Sequence, residues 1–359
     1  LSELLRALGA RPSGERLRRI QNSPQWKGGR FDQGLPLHFD YAGMLGRFFR
    51  MLGKRPPVRA LPVVATDPAL FSTPPVSGLR VTWLGHSTAL VELEGVRVLL
   101  DPMWGPRASP LRHFGPARFY APPLAIRDLP RLDAIVFSHD HYDHLDEMTV
   151  TALRGFDCPF VAPLGVGAHL EYWGVPAGRI VEMDWWEEQG IGGLTLACVP
   201  ARHFSGRDLR RNATLWCGWV LAGRERRLFY SGDSSYFDGF RAIGSRYGPF
   251  DAGLIECGAY DPTWPDVHLG PEQAVRACED SRARLFIPMH WGTFDLAMHG
   301  WTEPVERLLV AAKAAGLAVA VPRPGQSLEP SMPPPMERWW PEVRWEGVGQ
   351  TPIRSTGIS

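Results

Sequence analysis

The sequence predicts an α/β protein with two β-sheets inside and helices outside. Short apolar runs of the buried-strand type recur from Leu79 to Val321, and helical stretches alternate with them in the second half of that span. The apolar share, 44% of 359 residues, suffices for a sizeable core. No run of about twenty apolar residues occurs, so no transmembrane helix is expected.

Residues 1–77 lack a repeating pattern and read as an extension packed on the core. Short helices are predicted at Ser2–Leu8 and Glu15–Ile20, then an irregular stretch punctuated by Gly28, Gly29 and Gly34. A helix follows over Tyr41–Leu52, and a proline-rich connector runs from Pro56 to Pro75. Residues 78–325 read as one large α/β domain. Arg80–Leu84 is its first strand, Ala89–Glu94 and Val96–Leu100 flank Gly95 as a hairpin, and Met103–Pro123 is a long ordered loop. Further strands are expected at Ala134–Phe137, Phe160–Ala162, Leu194–Pro200, Leu215–Leu221, Arg227–Ser231, Ala252–Glu256, Leu285–Pro288 and Ala318–Val321. Helices are expected at Asp146–Leu153, Val166–Tyr172, Phe237–Tyr247, Pro271–Ser281 and Glu303–Ala315. Residues 326–359 form a tail anchored by Trp339 and Trp340.

A formal net charge of +1 with no basic stripe argues against nucleic acid as a partner. Five cysteines without a CxxC pair point to reduced, buried thiols rather than zinc ligands, and to a cytoplasmic setting. The start at Leu1 is compatible with a leader already removed.

The chemistry concentrates in Ser138-His139-Asp140-His141-Tyr142-Asp143-His144-Leu145-Asp146, where a buried strand ends and the chain turns. So many imidazoles and carboxylates are costly to bury unless positive charge sits among them. His139 and His141 alternate by two and can point to one side of an extended segment. Asp143 and His144, after the turn, can point elsewhere. That divides the ligands between two adjacent metals, with nitrogen and oxygen donors usual for zinc. Asp140 and Asp146 read either as groups that orient ligands or as solvated and helix-capping residues.

Three later residues, each at the end of a strand-like run, complete the set: His203, Asp233 and His290. The expected partition is His139, His141 and His203 on one zinc, and Asp143, His144 and His290 on the other. Asp233 is shared, its two oxygens serving both. Such a pair lowers the pKa of water from ~15.7 towards about 7 and clamps an anionic oxygen of the substrate. Asp143, beside the resulting hydroxide, orients it or takes its proton.

The motif His-x-His-x-Asp-His is similar to that of the metallo-β-lactamase superfamily. Further stretches narrow the likeness: Trp83 to Thr88, Leu100-Asp101-Pro102, Gly115 to Phe119, Asp184 to Glu188, Gly232-Asp233-Ser234 and His290 to Phe294. Together they resemble the N-acylphosphatidylethanolamine-hydrolysing phospholipase D family and its bacterial relatives, over about Leu79 to Val321. The resemblance implies an αββα sandwich, two zinc ions and hydrolysis of a phosphodiester bond in a lipid. It implies the same seven ligands, and gives His268, ahead of Gly270-Pro271-Glu272, a part in phosphate binding or in protonating the leaving oxygen. A plain loop histidine is the alternative. His86, between two strand signals, supports the site from beneath.

The expected partner is therefore a phospholipid or glycerophosphodiester substrate, with peripheral contact at a membrane. The segment Leu45–Arg55 motivates that contact, because Leu45, Phe48, Phe49 and Leu52 alternate with Arg47, Arg50, Lys54 and Arg55. Packing of the same apolar residues on the catalytic domain is the other reading. A lactonase or amidase on the same fold is the rival enzyme, and a regulatory protein without turnover is the rival class. The sequence does not decide between monomer and homodimer.

Overall fold

The structure, a computed structural model, describes residues 2–50, 57, 59–208 and 210–357. Two seven-stranded sheets share one core. The first runs in the order Ser327–Leu328, Leu79–Gly85, Thr88–Leu93, Val96–Leu100, Ala134–Val136, Phe160–Pro163, Ile180–Met183. The second runs Ala318–Val319, Leu285–Met289, Ala252–Glu256, Arg227–Tyr230, Gly218–Ala222, Leu194–Val199, Glu188–Ile191.

Alternation along each strand explains the layering. Val91, Val98, Leu100, Val136 and Val161 join Leu196, Trp219 and Leu221 in the shared core. Their neighbours Leu90, Leu99, Ile135, Phe137 and Phe160 turn the other way. There they meet Val150 and Leu153 of the helix Glu147–Leu153, and Leu170 of Gly167–Tyr172. Outside the second sheet, Pro271–Asp280 packs between Gly239–Tyr247 and Glu303–Ala315. The expected sandwich is the one found.

Three strands of the two sheets were not anticipated, Ile180–Met183, Glu188–Ile191 and Ser327–Leu328, the last within the stretch read as a tail. The first two are half-exposed edge strands; Glu188–Ile191 carries mostly polar residues, and Ile180–Met183 is a four-residue run interrupted by Glu182, too short to show a period. The predicted strand at Leu215–Leu221 starts only at Gly218. Leu215 and Cys217 instead donate across to Leu164 O and Ser138 O, at 2.8 and 2.9 Å. The stretch read as irregular around Gly28 contains a hairpin, Trp26–Lys27 against Arg30–Phe31. Gly28 and Gly29 at φ 58° and 82° supply the left-handed turn it needs. Two-residue strands are too short to show periodicity.

The N-terminal segment is tied to the loops at one end of the sandwich. Gln33 Oε1 accepts from His203 N at 3.0 Å, Pro36 O accepts from Arg202, and Phe31 packs beside Trp216. From the other terminus, Trp339 and Trp340 pack on Trp291, the residue after His290. All five cysteines are buried free thiols. No helix among the described residues is long and apolar enough to cross a membrane.

One turn is sterically constrained. Gly232 follows the strand Arg227–Tyr230 with φ +57°, and an added Cβ would lie 2.5 Å from Cys217 O and 2.9 Å from Ser138 Cβ. Left-handed backbone and overpacking together should make Gly232→Ala cost on the order of 3 kcal/mol in urea unfolding. A cost below about 1 kcal/mol would show that the turn relaxes freely.

Candidate metal centre

The strands ending in Gly85, Leu100, Val136, Val199, Tyr230, Glu256 and Met289 point one way within their sheets. Their following loops bring the predicted ligands together. His139 Nε2 and His203 Nε2 lie 2.9 and 3.1 Å from His141 Nδ1. A turn then closes, with His144 N and Leu145 N both donating to His141 O. It sends Asp143 and His144 to a second cluster with His290. Asp143 Oδ2 is 3.1 Å from His290 Nε2 and 3.5 Å from His144 Nε2.

Asp233 joins the two clusters. Its Oδ2 lies 3.6 and 3.8 Å from His139 and His203 Nε2, and 3.2 Å from both His144 and His290 Nε2. The sequence reading gave one oxygen to each metal. The structure aims the same oxygen at both clusters, while Oδ1 is buried without a hydrogen-bond partner.

These residues fit a pair of cations. Val267 O can only accept, so His203 Nδ1 carries the proton of their 2.8 Å bond and Nε2 presents a lone pair. By the same reasoning His144 Nδ1 donates to Asp101 Oδ2 at 2.7 Å. Ser138 Oγ donates to Asp101 and so accepts from His139 Nδ1 at 2.9 Å. Lone pairs of His139, His144 and His203 thus converge, and His144 Nε2 has no hydrogen-bond partner. Convergent lone pairs are what a cation satisfies.

The electrostatics agree. Burial disfavours the Asp233 carboxylate, but His144 and His290 outweigh it and hold its pKa well below the carboxylate range. Asp143 is depressed in the same way by His144, His290 and His86. Burial lowers His290, yet Asp233 and Asp143 push it up to about 10, and His144 is raised well above its usual value likewise. His139 and His203 go the other way, through burial and neighbouring imidazoles. The buried carboxylates thus draw positive charge, which protonated imidazoles or divalent cations can supply.

His86 and His290 sit on left-handed backbone, at φ 52° and 61°, and His290 N donates to His86 O. His86 was read as support from beneath. Its Nε2 reaches Asp143 Oδ2 at 2.9 Å, which makes it a member of the second ligand-type cluster in its own right. Burial and His290 lower its pKa to about 3, so it is neutral there. Asp140, read either as a group orienting ligands or as a solvated or capping residue, is buried and accepts from Gly206 N and Thr214 Oγ1, both at 2.9 Å. It braces the loop that follows His203. Asp146 caps the helix Glu147–Leu153 by accepting from Thr149 N. His268 lies over the centre, its ring 5.1 Å from those of both His203 and His290.

Sequence reasoning missed three contributors. Asp101 is fully buried and also accepts from Ser138 N and Tyr230 Oη. Glu256 is fully buried, with Oε2 2.8 Å from His268 Nδ1 and Oε1 accepting from Ser234 N and Leu269 N. A carboxylate closing the otherwise apolar strand Ala252–Glu256 was the available signal. Phe204 packs its ring 4.6 and 4.9 Å from those of His141 and His203. Nothing in its type marked it.

A family model described as the β-lactamase superfamily domain matches residues 96–291. The chain belongs to the metallo-β-lactamase superfamily. A Mycobacterium tuberculosis relative, Rv0906, is 51% identical over 285 residues, covering 78% of this chain and 76% of its own. The N-acyl-phosphatidylethanolamine-hydrolyzing phospholipase D 1 of Caenorhabditis elegans is 39% identical over 246 residues, 65% of this chain and 69% of that one. Among solved structures, Igni18, a metallo hydrolase from Ignicoccus hospitalis, superposes with a TM-score of 0.55 at 22% identity. It covers 70% of this chain and 97% of its own, a likeness of fold. With the ligand-type clusters on this superfamily's scaffold, the protein is a metal-dependent hydrolase.

Proposed function

We propose that this metallo-hydrolase is a dinuclear zinc phosphodiesterase acting on N-acylphosphatidylethanolamine-like phospholipids. The observation that carries the dinuclear part is the convergence of four imidazole nitrogens on Asp233 Oδ2. Relatedness to the C. elegans enzyme supports the lipid phosphodiester. His139, His141 and His203 would hold one ion, and Asp143, His144 and His290 the other, with Asp233 between. Two such ions supply Lewis acidity, both to water and to an anionic phosphoryl oxygen.

The chain's own residues do the rest. Asp143 is 15% exposed and remains a carboxylate at neutral pH, so it can accept the proton of an attacking water. His268, with Nδ1 engaged by Glu256, has Nε2 left to protonate the departing alkoxide. Phe204, Phe39 and Tyr41 continue from the ligand rings, at centroid spacings of 6.3 and 5.9 Å between successive rings. Beyond them lies a groove of about 480 Å³, lined by Tyr41, Met44, Leu45, Trp264, Leu296 and Met298. Tyr41 and Leu45 are 66% and 62% exposed, which suits substrate presented at a membrane surface. Arg47, expected to meet lipid headgroups, instead pairs at 2.8 Å with the buried Asp261. Leu52, Lys54 and Arg55 lie outside the described residues, as do the side chains of Phe48, Phe49 and Arg50.

Elemental analysis should find about two zinc ions per chain. The metal-loaded protein should hydrolyse bis(4-nitrophenyl) phosphate and a short-chain N-acylphosphatidylethanolamine faster than a lactone or an amide. Turnover confined to the lactone or amide overturns the phosphodiesterase reading. Two bound metals without any turnover would favour a regulatory role.

A further inference from the structure

Most arginines around the metal centre are already engaged. Arg202 pairs with Asp266, Arg207 donates to the carbonyls of Ala7, Asp140 and Leu145, and Arg47 holds Asp261. Arg118 donates to Met103 O, and its Nη2 is shut away from solvent. Arg211 differs. Its guanidinium carbon lies 5.1 Å from the Phe204 ring centre and 5.0 Å from that of Phe39. The side chain is exposed, and among the described residues the guanidinium has no hydrogen bond or ion pair.

The position is built rather than incidental. The next residue, Asn212, sits at φ 63° and is pinned to the loop after His203. Its N donates to Ser205 O at 2.9 Å, and its Nδ2 donates to Phe31 O at 3.1 Å. Phe204 in turn packs against the ligand imidazoles of His141 and His203. The cation therefore stands one ring away from the centre. Aromatic contact with the flat guanidinium leaves its N–H edge free for two parallel bonds to an anion.

We infer that Arg211 is the specificity-determining residue through which the site selects an anionic substrate, its N–H groups taking phosphate oxygens beside the metals. This rests on the phosphodiesterase reading and names the feature that separates diesters from neutral lactones and amides. Phe39, which stacks on the same guanidinium, lies before residue 96, where the superfamily match begins. The platform is thus assembled in part from outside the matched region.

Calorimetric titration of the metal-loaded protein with phenyl phosphate tests the inference without turnover. Arg211→Gln should weaken binding about ten- to a hundredfold, as expected for lost charge-assisted bonds. Arg211→Lys should fall between, because lysine keeps the charge and loses the planar fork. Phe39→Leu should cost about twofold to fivefold by removing one stacking face. In Arg211→Gln, kcat/KM for bis(4-nitrophenyl) phosphate should drop by the same factor as the affinity. That for a neutral 4-nitrophenyl ester should stay within about twofold. The inference is overturned if the wild type fails to bind phenyl phosphate, if Arg211→Gln binds it equally well, or if both substrates lose equally. A wild type that binds phenyl phosphate through Arg211 yet cleaves no diester sustains the inference and sinks the phosphodiesterase reading.

Discussion

Asp233→Ala should reduce metal content from about two ions per chain to below one, and lower turnover on the order of 10³-fold or more. The size of the effect follows from position. One oxygen faces His139, His203, His144 and His290 within 3.8 Å, so its removal opens both clusters. The same carboxylate is the main opposite charge on His144 and His290. Losing it leaves two imidazoles less able to stay protonated without metal. Asp233→Asn keeps the volume and removes the charge, and should fall on the same side. Near-UV circular dichroism would separate loss of metal from loss of fold. Retention of two ions in either variant would show that the shared assignment is wrong.

His268→Ala should leave both metals in place and slow hydrolysis of an alkyl phosphodiester by ~10²–10⁴-fold, the usual range for general acid catalysis. Its ring lies over the centre, and Glu256 holds Nδ1. The leaving group provides the discriminating measurement. An alkoxide needs a proton as it departs, whereas 4-nitrophenolate hardly does. The variant should therefore be slowed far more on the alkyl diester than on bis(4-nitrophenyl) phosphate. Equal losses on both would point to phosphate binding or packing. Normal rates would return His268 to a structural loop residue. Glu256→Gln should act in the same direction with a smaller effect, because Glu256 positions the imidazole and does not touch the substrate.

The interior strands were legible because both their faces are buried, which turns burial into continuous apolar runs such as Ala252–Ile255 and Leu285–Met289. The edge strand Glu188–Ile191 pairs on one side only and carries polar residues, so it left no such trace. Ligand-type residues at strand ends were legible for a related reason. Few side chains other than imidazole and carboxylate bind zinc, and a buried cluster of them is costly without a cation.

Residue type and spacing alone determined the sandwich, the seven convergent residues and their division into two groups. These follow from strand period and from the turn after His141, both local properties of the chain. Tertiary structure alone decided what surrounds them. Asp101 acts through His144, 43 positions away, and Glu256 through His268 across a loop, so neither role has a local pattern. The aim of a single Asp233 oxygen at both clusters depends on how the Gly232 turn fits against Ser138 and Cys217. Asp140 turned from the ligands to the loop after His203 because Gly206 and Thr214 present donors there. The placement of Arg211 on Phe39 and Phe204 required a residue from the N-terminal segment to meet one next to a ligand, a contact that only the folded chain makes.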